Sequence, residues 1–364
     1  MKAIRFYPRI APLLLLISAA CGPAPPKAGE YKIALVPSRS GQHGIFVMNS
    51  DTSGGKLLTS DVTAQLRPNS WSRDGKRIAF LAVRKPDFEM LNRYRMPNHS
   101  TLYIMDANGG NQKRLLDFPV SDFGWSPNGK QLFFISAYEN PERDEPAVQS
   151  GKKPLLASIY VLDVQTGRQT RLTGFGLSCS ASWAPDGTRL AVSFASSVNS
   201  GIYEVSPDGQ RGLHLSESTT TDVRPVWSPD GKMIAYVAAV KSGGDAKDTG
   251  VYTVNADGTS KRRVTDRAAY EVAWSPDGKL LLLQANGSVD LVDSHGQNRV
   301  HLSAPGDNPL DAAFTPDGRG VIFRSNQDGD WHLYFVDLKG QNRKRITGQL
   351  TASLFCLSPL LSFH

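Results

Sequence analysis

Apolar residues in this chain fall in short runs broken by Gly, Pro and Asp, and the breaks recur. One string appears as WSRDGKRIAF from Trp71, WSPNGKQLFF from Trp125, WAPDGTRLAV from Trp183, WSPDGKMIAY from Trp227, WSPDGKLLLL from Trp274 and FTPDGRGVIF from Phe314, at intervals of 54, 58, 44, 47 and 40 residues. Within it, Pro presets φ for the first turn position, Asp tolerates the next, and Gly supplies the positive φ that closes a hairpin. The apolar alternation after the turn reads as a strand. A large aromatic before the turn suits the gap between two packed sheets, and five of the six tryptophans occupy that one slot. The string is therefore strand, tight turn, strand.

A second string follows each copy: LYIMDANGG from Leu102, IYVLDVQTG from Ile159, IYEVSPDGQ from Ile202, VYTVNADGT from Val251, VDLVDSHGQ from Val289 and LYFVDLKGQ from Leu333. Each predicts a third strand entering a Gly-containing turn. A short fourth strand follows, such as Arg171–Thr173 or Arg345–Thr347. Four strands per unit of about 40–45 residues is the period of a propeller blade. The two ends of the repeat array complement each other. Leu350–Pro359 resembles the start of a repeat, with Leu357 in the tryptophan slot, and Lys32–Val36, Ile45–Asp51 and Leu57–Thr59 supply the strands it lacks. The prediction is an all-β fold over residues 31–364, a β-propeller of seven four-stranded blades with one composite blade closed by both ends. The alternative is six blades.

These strings resemble the propeller repeats of the TolB-type, WD-like family, over roughly residues 31 to 359. The resemblance implies a binding propeller, and the repeats specify fold far more than function.

Composition agrees with many turns: 33 Gly and 23 Pro in 364 residues point to short strands rather than long helices. Residues 1–20 read as a lipoprotein signal peptide. Lys2, Arg5 and Arg9 give a basic start, Leu13–Leu16 centre a short apolar run, and Ser18-Ala19-Ala20 precede Cys21, the expected lipid attachment site. Residues 21–30 carry three prolines and read as an extended tether. Loss of the leader's three cations lowers the formal charge from +7 to +4. With no Lys/Arg block on a helical pattern and no basic-aromatic motif, nucleic acid is not an expected partner. The expected location is the cell envelope, lipid-anchored, in the outer membrane facing the periplasm if the host is Gram-negative. Gly22 rather than Asp follows the cysteine. Cys179 and Cys356 sit in distant repeats and read as separate buried thiols.

Motifs for catalysis are scarce. There is no G-x-S-x-G elbow, no phosphate-binding loop and no H-E-x-x-H, and the seven histidines lack metal-ligand spacing. Asn326–Asp330 is the best cation candidate, but it lacks the alternating oxygens and distal Glu of a calcium loop. The expectation is no enzyme, no catalytic residue, no cofactor and no metal. What remains is a binding face. Insertions at Arg84–Arg95, Glu139–Lys153 and Lys241–Gly250 fall between second and third strands and emerge on one side of the wheel. Arg93, Tyr94 and Arg95 form the densest hot-spot cluster there. Asp122, Arg224, Glu271 and Asp311 lie three residues before the slot residue, on innermost strands near the same face. The expected function is a monomeric, non-enzymatic scaffold that binds an envelope protein with these residues and reaches the membrane through its lipid. The alternative is a carbohydrate-binding or polysaccharide-lyase-like propeller that uses the channel.

Overall fold

In the computed structural model, which describes residues 31–37, 44–60, 64–67, 70–84, 100–137, 157–173, 180–195, 200–216, 221–239, 249–267, 269–285, 287–348 and 352–357, the repeats form strands and no helix is found among the described residues. Blade 3 shows the unit: β7 (Asp122–Trp125), β8 (Gln131–Ser136), β9 (Ser158–Asp163) and β10 (Gln169–Arg171) pair antiparallel in chain order. Blades 4 to 7 repeat this from their inner strands β11 (Ala181–Trp183), β15 (Thr221–Trp227), β19 (Glu271–Trp274) and β23 (Leu310–Phe314). Blade 2 begins its sheet at β4 (Arg77–Ala82), and its inner strand is reduced to isolated bridges at Trp71↔Ile78 and Gln65↔Leu81.

Blade 1 is composite. β27 (Ala352–Leu357) pairs antiparallel with β1 (Lys32–Pro37), and the register Ile33↔Leu357 matches Trp125↔Leu132 in blade 3. Leu357 therefore occupies the slot residue's place. The ring has seven blades, and the six-blade alternative is set aside.

Packing explains why the ring closes. The buried apolar residues form clusters that lie between neighbouring blades rather than within one. Phe123, Trp125 and Phe134 of blade 3 meet Leu81 and Leu102 of blade 2. Tyr31, Ile33, Leu35 and Phe355 of blade 1 meet Ile322, Leu333 and Ile346 of blade 7. Each fully buried side chain of this size contributes about 1.5–3 kcal/mol. The slot tryptophans add a strap. Trp125 Nε1 donates to Ser70 O at 3.0 Å, Trp183 Nε1 to Gly124 O at 3.3 Å, and Trp274 Nε1 to Val226 O at 3.2 Å. Each acceptor is the residue before the preceding blade's slot. Arg77 adds a guanidinium 4.8 Å from the Trp125 ring and a 2.6 Å bond to Gly129 O.

Two local details refine the sequence reading. The fourth strands stop short: β10 ends at Arg171 and β26 (Lys344–Arg345) at Arg345, before the Leu-Thr and Ile-Thr pairs predicted to belong to them. Those threonines serve as buried clasps instead. Thr173 Oγ1 accepts from Ile159 N at 2.9 Å, and Thr347 Oγ1 from Leu333 N at 3.0 Å. The serine of WSPDG also has a task. Ser228 Oγ donates to Asp230 Oδ1 at 2.6 Å and accepts from Met233 N at 2.9 Å, locking the hairpin in which Gly231 takes φ 70°.

Candidate functional site

Antiparallel pairing fixes which residues meet at which end of the channel. The start of each inner strand pairs with the end of the second strand, as in Asp122↔Ile135, and the second strand ends where the third begins, as in Ser136↔Ser158. The start of the inner strands and the points where second strands end and third strands begin thus share one end of the wheel. The structure brings Asp122, Arg224, Glu271 and Asp311 together there, as the slot spacing predicts.

Their charges influence one another. Glu271 feels the charges of Arg224, Asp311, Asp122 and Arg67, and Asp122 feels Arg67 and Arg224. Burial in the channel wall is the dominant influence and pushes the carboxyls of Asp122, Glu271 and Asp311 above their ordinary range, against the pull of neighbouring arginines. Asp122 keeps 34% of its side-chain surface exposed, and its Oδ1 lies 3.1 Å from Arg67 Nε. Asp311 pairs with Arg324 at 2.8 Å. Tyr270 joins the group: burial raises its phenol, and its hydroxyl accepts from Gln284 Nε2 at 2.8 Å.

Two of the four residues carry backbone strain. Arg224 (φ 55°) and Asp311 (φ 50°) adopt the left-handed region, each at a register shift in its strand. Such bulges re-aim side chains next to functional sites. The Arg224 N–H donates to Ser180 Oγ of the preceding blade at 2.7 Å.

Sequence reasoning missed Arg67, Arg324, Tyr270 and Trp331. Arg67 lies four rather than three residues before its slot, because Pro68 interrupts the spacing. Arg324 comes from the second strand of blade 7, outside the recurring position. Trp331 is the one tryptophan outside the slot, and that exception was the available signal; the Arg324 guanidinium stands 4.6 Å from its ring. Arg93, Tyr94, Arg95, Cys21, Cys179 and most of the three insertions lie outside the described residues.

Among the described residues, no group of three or more His, Cys, Asp or Glu is placed to hold a metal ion. In the Asn326–Asp330 loop, Asp328 is engaged by the Tyr334 hydroxyl and lies 3.7 Å from Arg345. At the other end of the channel the lining changes character: the slot residues Trp71, Trp125, Trp183 and Trp227 border a cavity of about 470 Å³. No helix among the described residues is long and apolar enough to cross a membrane.

Comparison with known proteins bears on both fold and chemistry. The family model described as TolB beta propeller domain matches residues 150–354. The Bacillus subtilis protein named Uncharacterized peptidase YuxL is 25% identical over 215 residues, which cover 57% of this chain and 29% of that protein. The Protein TolB homolog of Chlorobium chlorochromatii is 25% identical over 217 residues, covering 57% of this chain and 46% of that protein. The chain thus spans less than half the length of these two relatives. A structure of oligogalacturonate lyase in complex with manganese superposes with a TM-score of 0.57 at 15% identity, covering 86% of this chain and 82% of that chain, and so shares the fold. These findings correct one expectation. The absence of a nucleophile elbow does not make this chain a non-enzyme, because its relatives include a protein named as a peptidase and its fold is shared with a lyase.

Proposed function

The chain belongs to the TolB beta propeller domain family, and from that premise we propose that it recognises an envelope protein at the charged mouth of its channel. In this reading residues 1–20 direct export, Cys21 carries the lipid, residues 21–30 form the tether, and the monomeric wheel faces the periplasm. One observation carries the proposal. Arg67, Asp122, Arg224, Glu271, Asp311 and Arg324 converge on one end of the channel, and Arg224 and Asp311 do so in a strained backbone conformation. Strain of about 1–3 kcal/mol per residue persists where the surroundings over-determine it, and it clusters at ligand sites. A ring of three cations and three anions suits a peptide segment of mixed charge, with Arg93, Tyr94 and Arg95 extending the contact from the insertion on the same side.

The test is capture from cross-linked envelopes. Arg224→Glu and Glu271→Lys should each lower recovery of the partner about tenfold or more, while rim contacts elsewhere change it little. Exchanging both charges together should restore part of it. Recovery unchanged in both single variants, with cross-links mapping only to the opposite end, would reverse the assignment.

A second reading has a specific observation behind it. Trp331 presents a ring beside the Arg324 guanidinium, and a flat aromatic next to a cation suits an acidic saccharide. A glycan array separates the two: Trp331→Ala should abolish saccharide retention under this reading and leave protein capture intact.

A further inference from the structure

The end of the channel opposite the charged mouth is built from the WSPDG turns, and one of those turns departs from the pattern. Five copies place a proline two residues after the slot, as Pro127, Pro185, Pro229, Pro276 and Pro316; blade 2 places Arg73 there. Proline presets φ for this position, so the turn itself gives no reason to prefer arginine. All six residues border the cavity of about 470 Å³ together with the slot tryptophans of blades 2 to 5, and Arg73 is the one charged residue in that lining. It is exposed, and its side chain forms no hydrogen bond or ion pair among the described residues. The carboxylates of the same turns are held in their own hairpins: Ser72, Ser228 and Ser275 Oγ donate to Asp74, Asp230 and Asp277 at 2.6 Å, and none of these aspartates lines the cavity.

The remaining polar groups of the wall are mostly spent. The hydroxyls of Ser126 and Ser228 donate within their turns, and Trp125 and Trp183 Nε1 donate to backbone carbonyls. Ser182, one residue before its slot and so further inside the channel, accepts from Trp227 N at 3.4 Å and donates to no described residue. The side chains left to meet a ligand are therefore two donors, the Arg73 guanidinium at the rim and the Ser182 hydroxyl inside, set among indole and proline rings. Donors without a free carboxylate, in an apolar wall, select an anion on an apolar body.

We propose that this cavity binds a small carboxylic acid with a flat apolar body: the carboxylate meets the Arg73 guanidinium at the rim, and the body lies among the tryptophans and prolines of the WSPDG turns. The planar guanidinium fork matches a carboxylate's two oxygens, and flat rings suit a wall of ring edges. The volume lies within the range of about 300–1,000 Å³ usual for small-molecule sites. A cationic ligand of the same shape is repelled by Arg73. The site lies at the far end of the channel from the mouth and uses none of its residues, so it is independent of what binds there.

Calorimetric titration with three probes of one shape tests it. The protein should bind 2-naphthoate at a single site, and the uncharged 2-naphthalenemethanol and the cationic 2-naphthylmethylamine at least about tenfold more weakly, the loss expected for one charge-assisted hydrogen bond. Arg73→Pro restores the turn residue of the other five copies, so it should melt no lower than the parent while binding acid and alcohol alike. Arg73→Gln should lose the preference in the same way and serves if the proline variant does not fold. No binding of 2-naphthoate, equal binding of acid and alcohol by the parent, or a preference for the acid that survives both substitutions overturns the proposal. A preference that survives Arg73→Pro and disappears in Arg224→Glu assigns the carboxylate to the mouth and overturns it as well.

Discussion

Phe355→Ala tests how the ring is closed. Phe355 is 6% exposed and packs between blade 1 (Tyr31, Ile33, Leu35, Met48) and blade 7 (Ile322, Leu333, Ile346). Truncating a buried Phe to Ala costs about 3–5 kcal/mol, from lost transfer energy and the cavity left behind. The strand that carries it, β27, is joined by a ladder to β1 alone, so the cost falls on detachment of that strand. At about 1.4 kcal/mol per factor of ten, the opening equilibrium should rise about 10²-fold to a few thousandfold. The neighbouring residue reports it. Cys356 is 2% exposed, and burial pushes its thiol up to about 12, so it is inert while the strand is docked. In a protein lacking residues 1–21 and carrying Cys179→Ser, thiol labelling under native conditions should accelerate by the same factor. Phe134→Ala is the control: Phe134 is 0% exposed between blades 2 and 3, far from the closure. It should lower global stability similarly and leave native-state labelling of Cys356 unchanged. If Phe355→Ala changes the labelling rate by less than about threefold, or if the control matches it, closure does not reside in β27.

Cys21→Ala should move the protein from the membrane to the soluble fraction on cell fractionation, because stable anchoring takes more than one acyl chain at about 0.8 kcal/mol per buried CH₂. Asp230→Ala removes the acceptor of Ser228 Oγ and Lys232 N and should cost about 1 kcal/mol in urea unfolding at neutral pH. Those bonds hold the Asp230 carboxyl below its ordinary value, so the stability it contributes is present above the unfolded pKa and is lost as pH falls through the folded one; the two proteins should converge in acid. Glu271→Gln should have the opposite pH profile. Burial raises Glu271, so its contribution to stability is complete below the unfolded pKa and is lost as pH rises through the folded value. The glutamine variant should therefore melt higher than the parent at pH 8, with the gain vanishing in acid; a parent that melts higher at pH 8 would mean that attraction to Arg224 outweighs burial.

The blade count, the composite closure and the slot were legible because each is a local rule repeated many times. A turn needs Gly at positive φ, a gap between sheets needs a large aromatic, and both needs recur in every blade. The mouth was legible only where it shares that register. Asp122, Arg224, Glu271 and Asp311 sit at one offset from the slot, so one rule finds all four. Arg67 escapes the rule because Pro68 shifts the count, and Arg324 and Trp331 because they enter from a different strand and its turn. The bulges at Arg224 and Asp311 were hidden for a stronger reason. Val-Arg-Pro carries no glycine, asparagine or aspartate to announce a left-handed residue, and Asp311 is one of many aspartates in the chain that could tolerate that region.

The contrast between blades argues that those bulges serve the mouth rather than the fold. Blades 3 and 6 run β7 and β19 into their second strands with no register shift, and they close the ring as well as their neighbours do. A flat inner strand therefore satisfies the packing. Blades 5 and 7 nevertheless place a non-glycine residue in the left-handed region, at a cost of about 1–2 kcal/mol each. What they obtain is a change of direction for one cation and one anion at the level where Glu271 and Asp122 already stand. The compensating bonds are local to that level: Arg224 N to Ser180 Oγ, and Ala312 N to Gln284 Oε1 at 3.0 Å. An arrangement that stability alone would flatten, at the end of the channel where carboxyls are already held above their ordinary range, is the physical ground for the proposal that recognition lies at this mouth.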